Sequence, residues 1–407
     1  MYTLGIYIYI GLVKLAALFG HRKAKKMIEG RGESFAKLKE GIEQGSDYLW
    51  FHVSSLGEFE QGRPLMERIK AEYPQYKIML TFFSPSGYES AKKYQFADII
   101  CYMPFDTVLN AKRFVRMLNP KMAFFVKYEF WMNFLFELKR CNVPTYSVSS
   151  IFRRGQAFFR PWGFYYRKAL RCFDHLYVQN ETSRQLLAEI GIDNVSITGD
   201  TRFDRVAKIL EISRQLPLVE AFVAGSNKIF IAGSSWGPDE EVYLPYFNEN
   251  KGWKLIIASH EVDETRIKEI TSRVNGVCVC YTKATMDEVR AADCLIIDCF
   301  GLLSSIYRYG NVAYVGGGFG VGIHNTLEAA VYGIPVFFGP NNAKFQEATS
   351  LKECGGGIEI RSAEEFASRM RCFDENPKEL RAAGAAAGSY VSENSGATDK
   401  ILSTIKF

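Results

Sequence analysis

Histidine is scarce in this chain. Five occur in 407 residues, at positions 21, 52, 175, 260 and 324, and their spacing is not that of metal ligands. No structural metal is therefore expected. The nine cysteines include no Cys-x-x-Cys pair, which removes the usual dithiol and zinc frameworks. Scattered single cysteines suit a reducing compartment. Short internal repeats and low-complexity tracts are also lacking, which leaves an ordinary globular chain. A net charge of +5 is too small to argue for a nucleic-acid partner.

What charge there is lies in two places. Residues 1–45 hold eight Lys/Arg and four Asp/Glu, and residues 151–171 hold six Arg/Lys and no acid. The rest of the chain is acidic on balance, so the basicity is local and suits a surface facing something anionic. The second segment also interleaves seven aromatics with its six cations, among them Arg153, Arg154 and Arg160. Such a stretch can enter a lipid interface or form a helix with its aromatics in the core. Near the start, Tyr2 to Gly20 is apolar or small except for Lys14, and His21-Arg-Lys-Ala-Lys-Lys26 follows. Nineteen helical residues reach about 28 Å, close to one hydrocarbon core. The expectation is a membrane anchor with its basic flank on the cytoplasmic side; a helix lying on the interface or docked on the body is the alternative.

With 47% apolar residues, two cores can be filled. From Asp47 onward short apolar runs alternate with amphipathic stretches, the rhythm of βαβ units around parallel sheets. Strands are expected at 48–53, 77–81, 99–102, 123–126, 145–148, 175–178 and 195–198. A second series is expected at 228–232, 254–258, 277–280, 294–297, 312–315 and 335–338. The break falls in Arg205–Asn227, giving an α/β chain with an anchor at 1–26, one Rossmann-like domain at 27–210 and another at 211–407, with a cleft between them.

The most telling stretch is Val315-Gly-Gly-Gly-Phe-Gly-Val-Gly-Ile-His324-Asn-Thr-Leu-Glu328, followed by Ala-Ala-Val-Tyr-Gly-Ile-Pro335-Val-Phe-Phe-Gly-Pro340. It reads as strand, glycine loop, helix and strand. A glycine loop lets a ligand approach the backbone, and the helix start offers N–H groups to a phosphate. Glu328 in that helix can accept hydrogen bonds from a ribose diol. A nucleotide bearing a sugar is the expected ligand. Ser234-Ser235, Ala258-Ser259-His260 and Phe300-Gly301-Leu302 close other strands and should line the same edge. In the first domain, Glu58 follows one core strand in His52-Val-Ser-Ser-Leu-Gly57-Glu58, and Glu129 follows another. Either acid can serve as a general base once desolvated, or simply start a helix. Arg202, after the last strand, can hold developing negative charge.

These motifs together resemble the 3-deoxy-D-manno-octulosonic acid (Kdo) transferases. The resemblance rests on Ser55-Leu-Gly-Glu58, Tyr102-Met-Pro-Phe-Asp106, Glu129-Phe-Trp-Met-Asn133, Val178-Gln179, Gly199-Asp-Thr-Arg202-Phe-Asp204 and Gly322-Ile-His-Asn325-Thr-Leu-Glu328, and runs from the N-terminus to about residue 350. It implies a GT-B fold and metal-independent, inverting transfer of Kdo from CMP-Kdo to a lipid A precursor, on the cytoplasmic side of a bacterial inner membrane, with no cofactor. By the same resemblance Glu58 is the base, and Glu129 and Arg202 assist the transition state. CMP is held by Ser234, Ser235, Ala258, Ser259, His260, Phe300, Gly301, Leu302, Gly317, Gly318, Asn325, Thr326, Leu327 and Glu328. Arg153, Arg154 and Arg160 face the acceptor and membrane. The chain departs from the family where Ala258-Ser259-His260 replaces Pro-Arg-His and Gly301-Leu302-Leu303 replaces Gly-Glu-Leu. Lys127, Arg202 and Trp236 replace a glutamate, a lysine and a histidine. The competing readings are a GT-B enzyme for another nucleotide sugar, and an inactive lipid-binding relative.

Overall fold

Apolar runs rich in β-branched and aromatic residues become strands in the computed structural model, which describes residues 2–407. The chain divides into two compact units, one ending at Arg205 but completed by Ser395–Phe407, the other spanning Val206–Asn394. The second unit therefore starts at Val206, five residues before the expected start at 211. It stops at Asn394 rather than running to 407.

The first unit is built on β1 (Tyr48–Val53), β2 (Lys77–Phe82), β3 (Ile99–Tyr102), β4 (Met122–Val126), β5 (Thr145–Ser150), β6 (His175–Val178) and β7 (Val195–Ile197). Their order is β3-β2-β1-β4-β5-β6-β7, all parallel. The second unit holds β8 (Ile229–Ser235), β9 (Lys254–Ser259), β10 (Cys278–Cys280), β11 (Cys294–Ile296), β12 (Val312–Val315), β13 (Val336–Phe338) and β14 (Gly357–Glu359). Its order is β10-β11-β9-β8-β12-β13-β14, again all parallel. The strand β14 has no counterpart in the sequence reading. Every residue of β1 and β4 is buried, as a sheet covered on both faces requires. The strand order reverses between β1 and β4 in one sheet and between β8 and β12 in the other. Such switch points open a crevice at the strands' carboxyl ends.

The N-terminal segment forms α1 (Tyr2–Leu18) and α2 (Arg22–Gly41), bent by 118° at the turn between them. No single helix among the described residues is long and apolar enough to cross a membrane. The apolar run expected over Tyr2–Gly20 is thus the 17-residue helix α1 and the turn that follows it. One side of α1 is docked: the Tyr2 hydroxyl donates to Asp106 at 2.6 Å, and Tyr9 stacks near Phe83. The other side stays open, with Leu4, Ile8, Leu12, Leu15 and Leu18 exposed. The segment 151–171 splits in the same way. Phe152 and Phe158 are buried, while Trp162 and Phe164 are exposed.

The C-terminal helix Ala397–Leu402 returns to the first sheet. Ile401, Leu402 and Ile405 join the cluster that contains Leu49, Phe51 and Phe124. Asp204 accepts from the Thr398 N–H and hydroxyl at 2.6 Å each, and the Tyr177 hydroxyl lies 2.6 Å from that of Thr404.

Glycines differ in what they are for. A Cβ on Gly316 would lie 2.2 Å from the Ser234 carbonyl oxygen and 2.5 Å from the Ser235 Cα. Gly57 sits in the first turn of α3 (Leu56–Glu72) without positive φ, and a Cβ there would meet only the Ser55 Oγ at 4.0 Å. The tight turn expected at Gly57 is thus an ordinary helix start. We expect Gly316→Ala to cost about 3 kcal/mol, roughly 10 °C in thermal midpoint, because backbone must move. Gly57→Ala should not lower the midpoint. Equal midpoints for the two variants in a thermal melt would contradict this assignment.

Candidate functional site

In the first unit the switch point carries Glu58 after β1 and Glu129 after β4. Ser55 is the N-cap of α3: its Oγ accepts from the Glu58 N–H at 3.4 Å, and Glu58 Oε2 accepts from the Ser55 N–H at 3.2 Å. The Ser54 N–H also donates to Oε2. This is a capping box, an arrangement that stabilises a charged glutamate. Burial nonetheless wins. Glu58 is 8% exposed. Its carboxyl is pushed up to about 7, first by burial and then by the charge of Glu129, against the Ser54 N–H, the Lys127 charge and the Ser55 N–H. Glu58 is therefore both a helix cap and a carboxyl poised near neutrality.

Glu129 is buried too. Its Oε2 lies 3.0 Å from His52 Nε2 and accepts from Trp131 Nε1 at 2.5 Å. Lys127, which precedes the loop, adopts a left-handed φ of 66°. Arg202 opens the helix Arg202–Ile212 and grips Asp200, with Nε and a terminal nitrogen 3.0 and 2.8 Å from Oδ2. Asp200 is buried, which alone would raise its carboxyl, yet Arg202 holds it below the usual range. Gln61, one turn beyond Glu58 on α3, donates to Asp200 Oδ1 at 2.9 Å. The structure thus brings Glu58, Glu129 and Arg202 to one edge, where Tyr128 feels Arg153, Glu58 and Arg202 together.

Of the basic segment, Arg153 faces this edge, its guanidinium 5.8 Å from the Tyr128 ring centre. Arg154 instead pairs with Glu189 at 2.5 Å on the surface, and Arg160 is exposed. Beside Glu129 opens a cavity of about 380 Å³ lined chiefly by aromatics, including Tyr2, Tyr128, Trp131, Phe158 and Tyr166.

In the second unit the glycine loop is fastened to its own fold. Gly317 N–H donates to Asp239 Oδ2 at 2.9 Å, as does the Trp236 N–H. Gly318 packs on Gly339, where a Cβ would come within 2.5 Å of backbone. The helix that follows is one turn, Leu327–Ala330, shorter than the sequence implied, with Glu328 as its second residue. Asn325 Nδ2 donates to Glu328 at 3.0 Å. Thr326 is fully buried, and its hydroxyl has no hydrogen-bond partner among the described residues.

Ser234 holds a left-handed φ of 52°, and Gly301 one of 86°. Ala258 is buried within β9, Phe300 is 77% exposed, and Leu302 precedes the helix Leu303–Ile306. The Ser235 and Ser259 hydroxyls face inward. Ser235 bonds Glu240 at 3.3 Å, and Ser259 bonds the Ser235 carbonyl at 3.2 Å and takes Arg266 Nε at 3.3 Å. His260 lies between Trp236 and His324, with ring centres 4.4 and 4.6 Å away. Burial, then the neighbouring His260, lowers the His324 pKa.

Sequence reasoning assigned no role to His52, Trp131, Gln61, Asp200 or Arg266. Asp200 could have been found as the acid two residues before Arg202. The others depend on contacts across 26 to 139 residues, or on an indole two positions from the acid it serves. Among the described residues no three His, Cys, Asp or Glu side chains group as a metal site.

Residues 29–205 match the family model described as 3-deoxy-D-manno-octulosonic-acid transferase (kdotransferase). The chain is 28% identical over 352 residues to the 3-deoxy-D-manno-octulosonic acid transferase of Aquifex aeolicus, covering 84% of this chain and 90% of that protein. It is 23% identical over 385 residues to the enzyme of that name from Rickettsia felis, covering 91% and 82%. Among solved structures, UDP-GlcNAc 2-epimerase from Neisseria meningitidis superposes with a TM-score of 0.58 at 13% identity, covering 85% of this chain and 99% of that one. Acinetobacter baumannii MurG gives 0.57 at 10% identity, with 88% and 99% covered. The structural likenesses establish a GT-B fold, and the sequence matches span both units. Along most of its length the chain is similar to 3-deoxy-D-manno-octulosonic acid (Kdo) transferases, and its residues 29–205 match the model of that family.

Proposed function

We propose that this chain transfers Kdo from CMP-Kdo to a hydroxyl of a lipid A precursor such as lipid IVA, with inversion and without a metal. The observation that carries the reading is Glu58, a buried carboxyl raised to about 7 beside Glu129 and Arg202. The Glu58 carboxylate takes the acceptor proton. The freed oxygen bonds the anomeric carbon while the bond from that carbon to the CMP oxygen breaks, leaving its electron pair on the phosphate. Glu129 opposes positive charge growing at the sugar, and Arg202 opposes negative charge. CMP binds the carboxyl edge of the second sheet. There Asn325 and Glu328 meet the ribose, and His260 and Phe300 offer exposed rings. Ser235, Ser259 and Gly317 act there as frame, because their polar groups are already engaged.

The acceptor approaches beside Arg153 and the aromatic cavity, with the chain on the cytoplasmic face of the inner membrane. The open side of α1 with Trp162 and Phe164 supports this, since exposed apolar residues beside cations suit an anionic bilayer surface.

Incubation of the full chain in detergent with CMP-Kdo and lipid IVA should add Kdo-sized mass to the lipid. Glu58→Gln should lower turnover by roughly 10²- to 10⁴-fold at unchanged melting midpoint. A base works unprotonated, so kcat/KM should rise with pH through about 7. Product without that dependence would remove Glu58 from the role; no product from folded wild type would discard the transfer. CMP at a hundredfold over its Kd should stabilise the chain by about 2.7 kcal/mol, and Glu328→Ala should abolish this shift. Stabilisation by UDP in place of CMP would reject the donor. Leu12→Asp with Leu15→Asp should weaken sedimentation with anionic vesicles and leave the melting midpoint alone; unchanged sedimentation would count against α1 as the membrane face.

A further inference from the structure

We propose that His52 is a positioning residue for the transfer reaction, holding the Glu129 carboxylate beside Glu58 through a buried hydrogen-bond chain anchored on Thr81 and Trp50. The inference rests on the reading of Glu58 as base.

His52 lies in β1 between β2 and β4 and is completely buried. Its register partner on β2 is Thr81, and its Nδ1 lies 2.9 Å from the Thr81 Oγ1. Its Nε2 lies 3.0 Å from Glu129 Oε2. Trp50 Nε1 donates to the same Thr81 oxygen at 2.8 Å, and the Phe51 carbonyl is 3.3 Å from it. A hydroxyl has one hydrogen and two lone pairs, and Trp50 occupies one lone pair. Thr81 can then give its hydrogen to His52 Nδ1, which places the imidazole hydrogen on Nε2. Alternatively it gives that hydrogen to Phe51 and accepts from Nδ1–H, in which case the Glu129 bond needs a doubly protonated ring. In the first arrangement, which needs no charge on the buried ring, Nε2 donates to the carboxylate. Trp131 Nε1 is the second donor to Oε2, and its ring is stacked on Phe83 with centres 4.7 Å apart. Two donors from different elements, the buried His52 and the half-buried Trp131, converge on one oxygen of an acid at the site edge.

The chain matters because Glu129 acts on Glu58. Its charge is the second cause, after burial, that raises the Glu58 carboxyl, while Lys127 and the N–H groups of Ser54 and Ser55 oppose it. Arg153, Arg202, Asp200 and Tyr128 also face this edge. Without the His52 donor the Glu129 carboxylate keeps only the Trp131 bond and can turn away from Glu58, so its repulsion on Glu58 weakens and the base titrates lower.

The test compares His52→Gln with His52→Asn in the full chain. A glutamine amide nitrogen reaches the place of Nε2, whereas that of asparagine reaches only Nδ1. Two readouts are taken: the pH profile of Kdo transfer, and the Glu58 titration by carboxyl ¹³C NMR, assigned with Glu58→Gln. For His52→Asn we expect the Glu58 titration to fall by about one pH unit and the rising limb to follow. Its kcat should fall roughly tenfold or more, with the donor KM nearly unchanged. His52→Gln should restore the wild-type titration and limb. In a Glu129→Gln background His52→Asn should add no further shift. Should His52→Asn not fold, Thr81→Val, which removes the anchor and leaves the ring, takes its place with the same expectation. A wild-type titration in folded His52→Asn, or equal loss in the Gln and Asn variants, overturns the proposal. If wild type transfers no Kdo while the NMR shift appears as described, the positioning stands and the reaction assignment fails.

Discussion

Parallel pairing governs where chemistry can occur in this chain. Every strand of a sheet ends on the same edge, so each carboxyl end delivers its following loop to one rim. Crossover helices cover both faces of the strands, which is why β1 and β4 are buried throughout. The same burial lets His52, in the middle of the sheet, reach an acid at the rim through a single ring. Of the acids on that rim, Glu58 is costly to ionise, chiefly because it is buried.

Glu58 embodies a conflict between two local demands. As the third residue of α3 it closes a capping box, which favours the charged form. As a buried neighbour of Glu129 it resists that form, and the resistance is larger. Had capping won, the carboxylate would be a weak base. Had burial acted without the caps, it would stay protonated through neutrality. The opposing contributions leave it responsive near pH 7, where Brønsted behaviour makes a base most useful. Arg202 follows a different logic. Asp200 and Gln61 tie it to α3, so the cation and the base share one support.

Much of this was legible in the chain. Strands such as His175–Val178 and Val312–Val315 announce themselves by apolar runs bounded by polar residues. The strand Gly357–Glu359 does not, since a three-residue strand opening on glycine carries no pattern of its own. The acids after β1 and β4 could be named from position. Their coupling could not, because it depends on which strands become neighbours. His52 alone on an apolar strand reads as core until Thr81 and Glu129 are seen on either side. The glycine run misled in part: Gly316 and Gly318 serve close backbone approach to Ser234 and Gly339, a demand set by distant segments. Ser259 stands where the resemblance to the Kdo transferases implies an arginine, and the sequence suggests a lost cation. The fold sets Arg266 against that same hydroxyl, seven residues along the chain.

The return of Ser395–Phe407 to the first sheet makes that unit discontinuous, with the second unit inserted within it. On a ribosome, residues 206–394 emerge and can fold before the last contributors to the first core, Ile401 and Ile405, have been made. The nascent first unit must therefore wait with part of its apolar surface uncovered. Its final closure waits until Ile401 and Ile405 have been made.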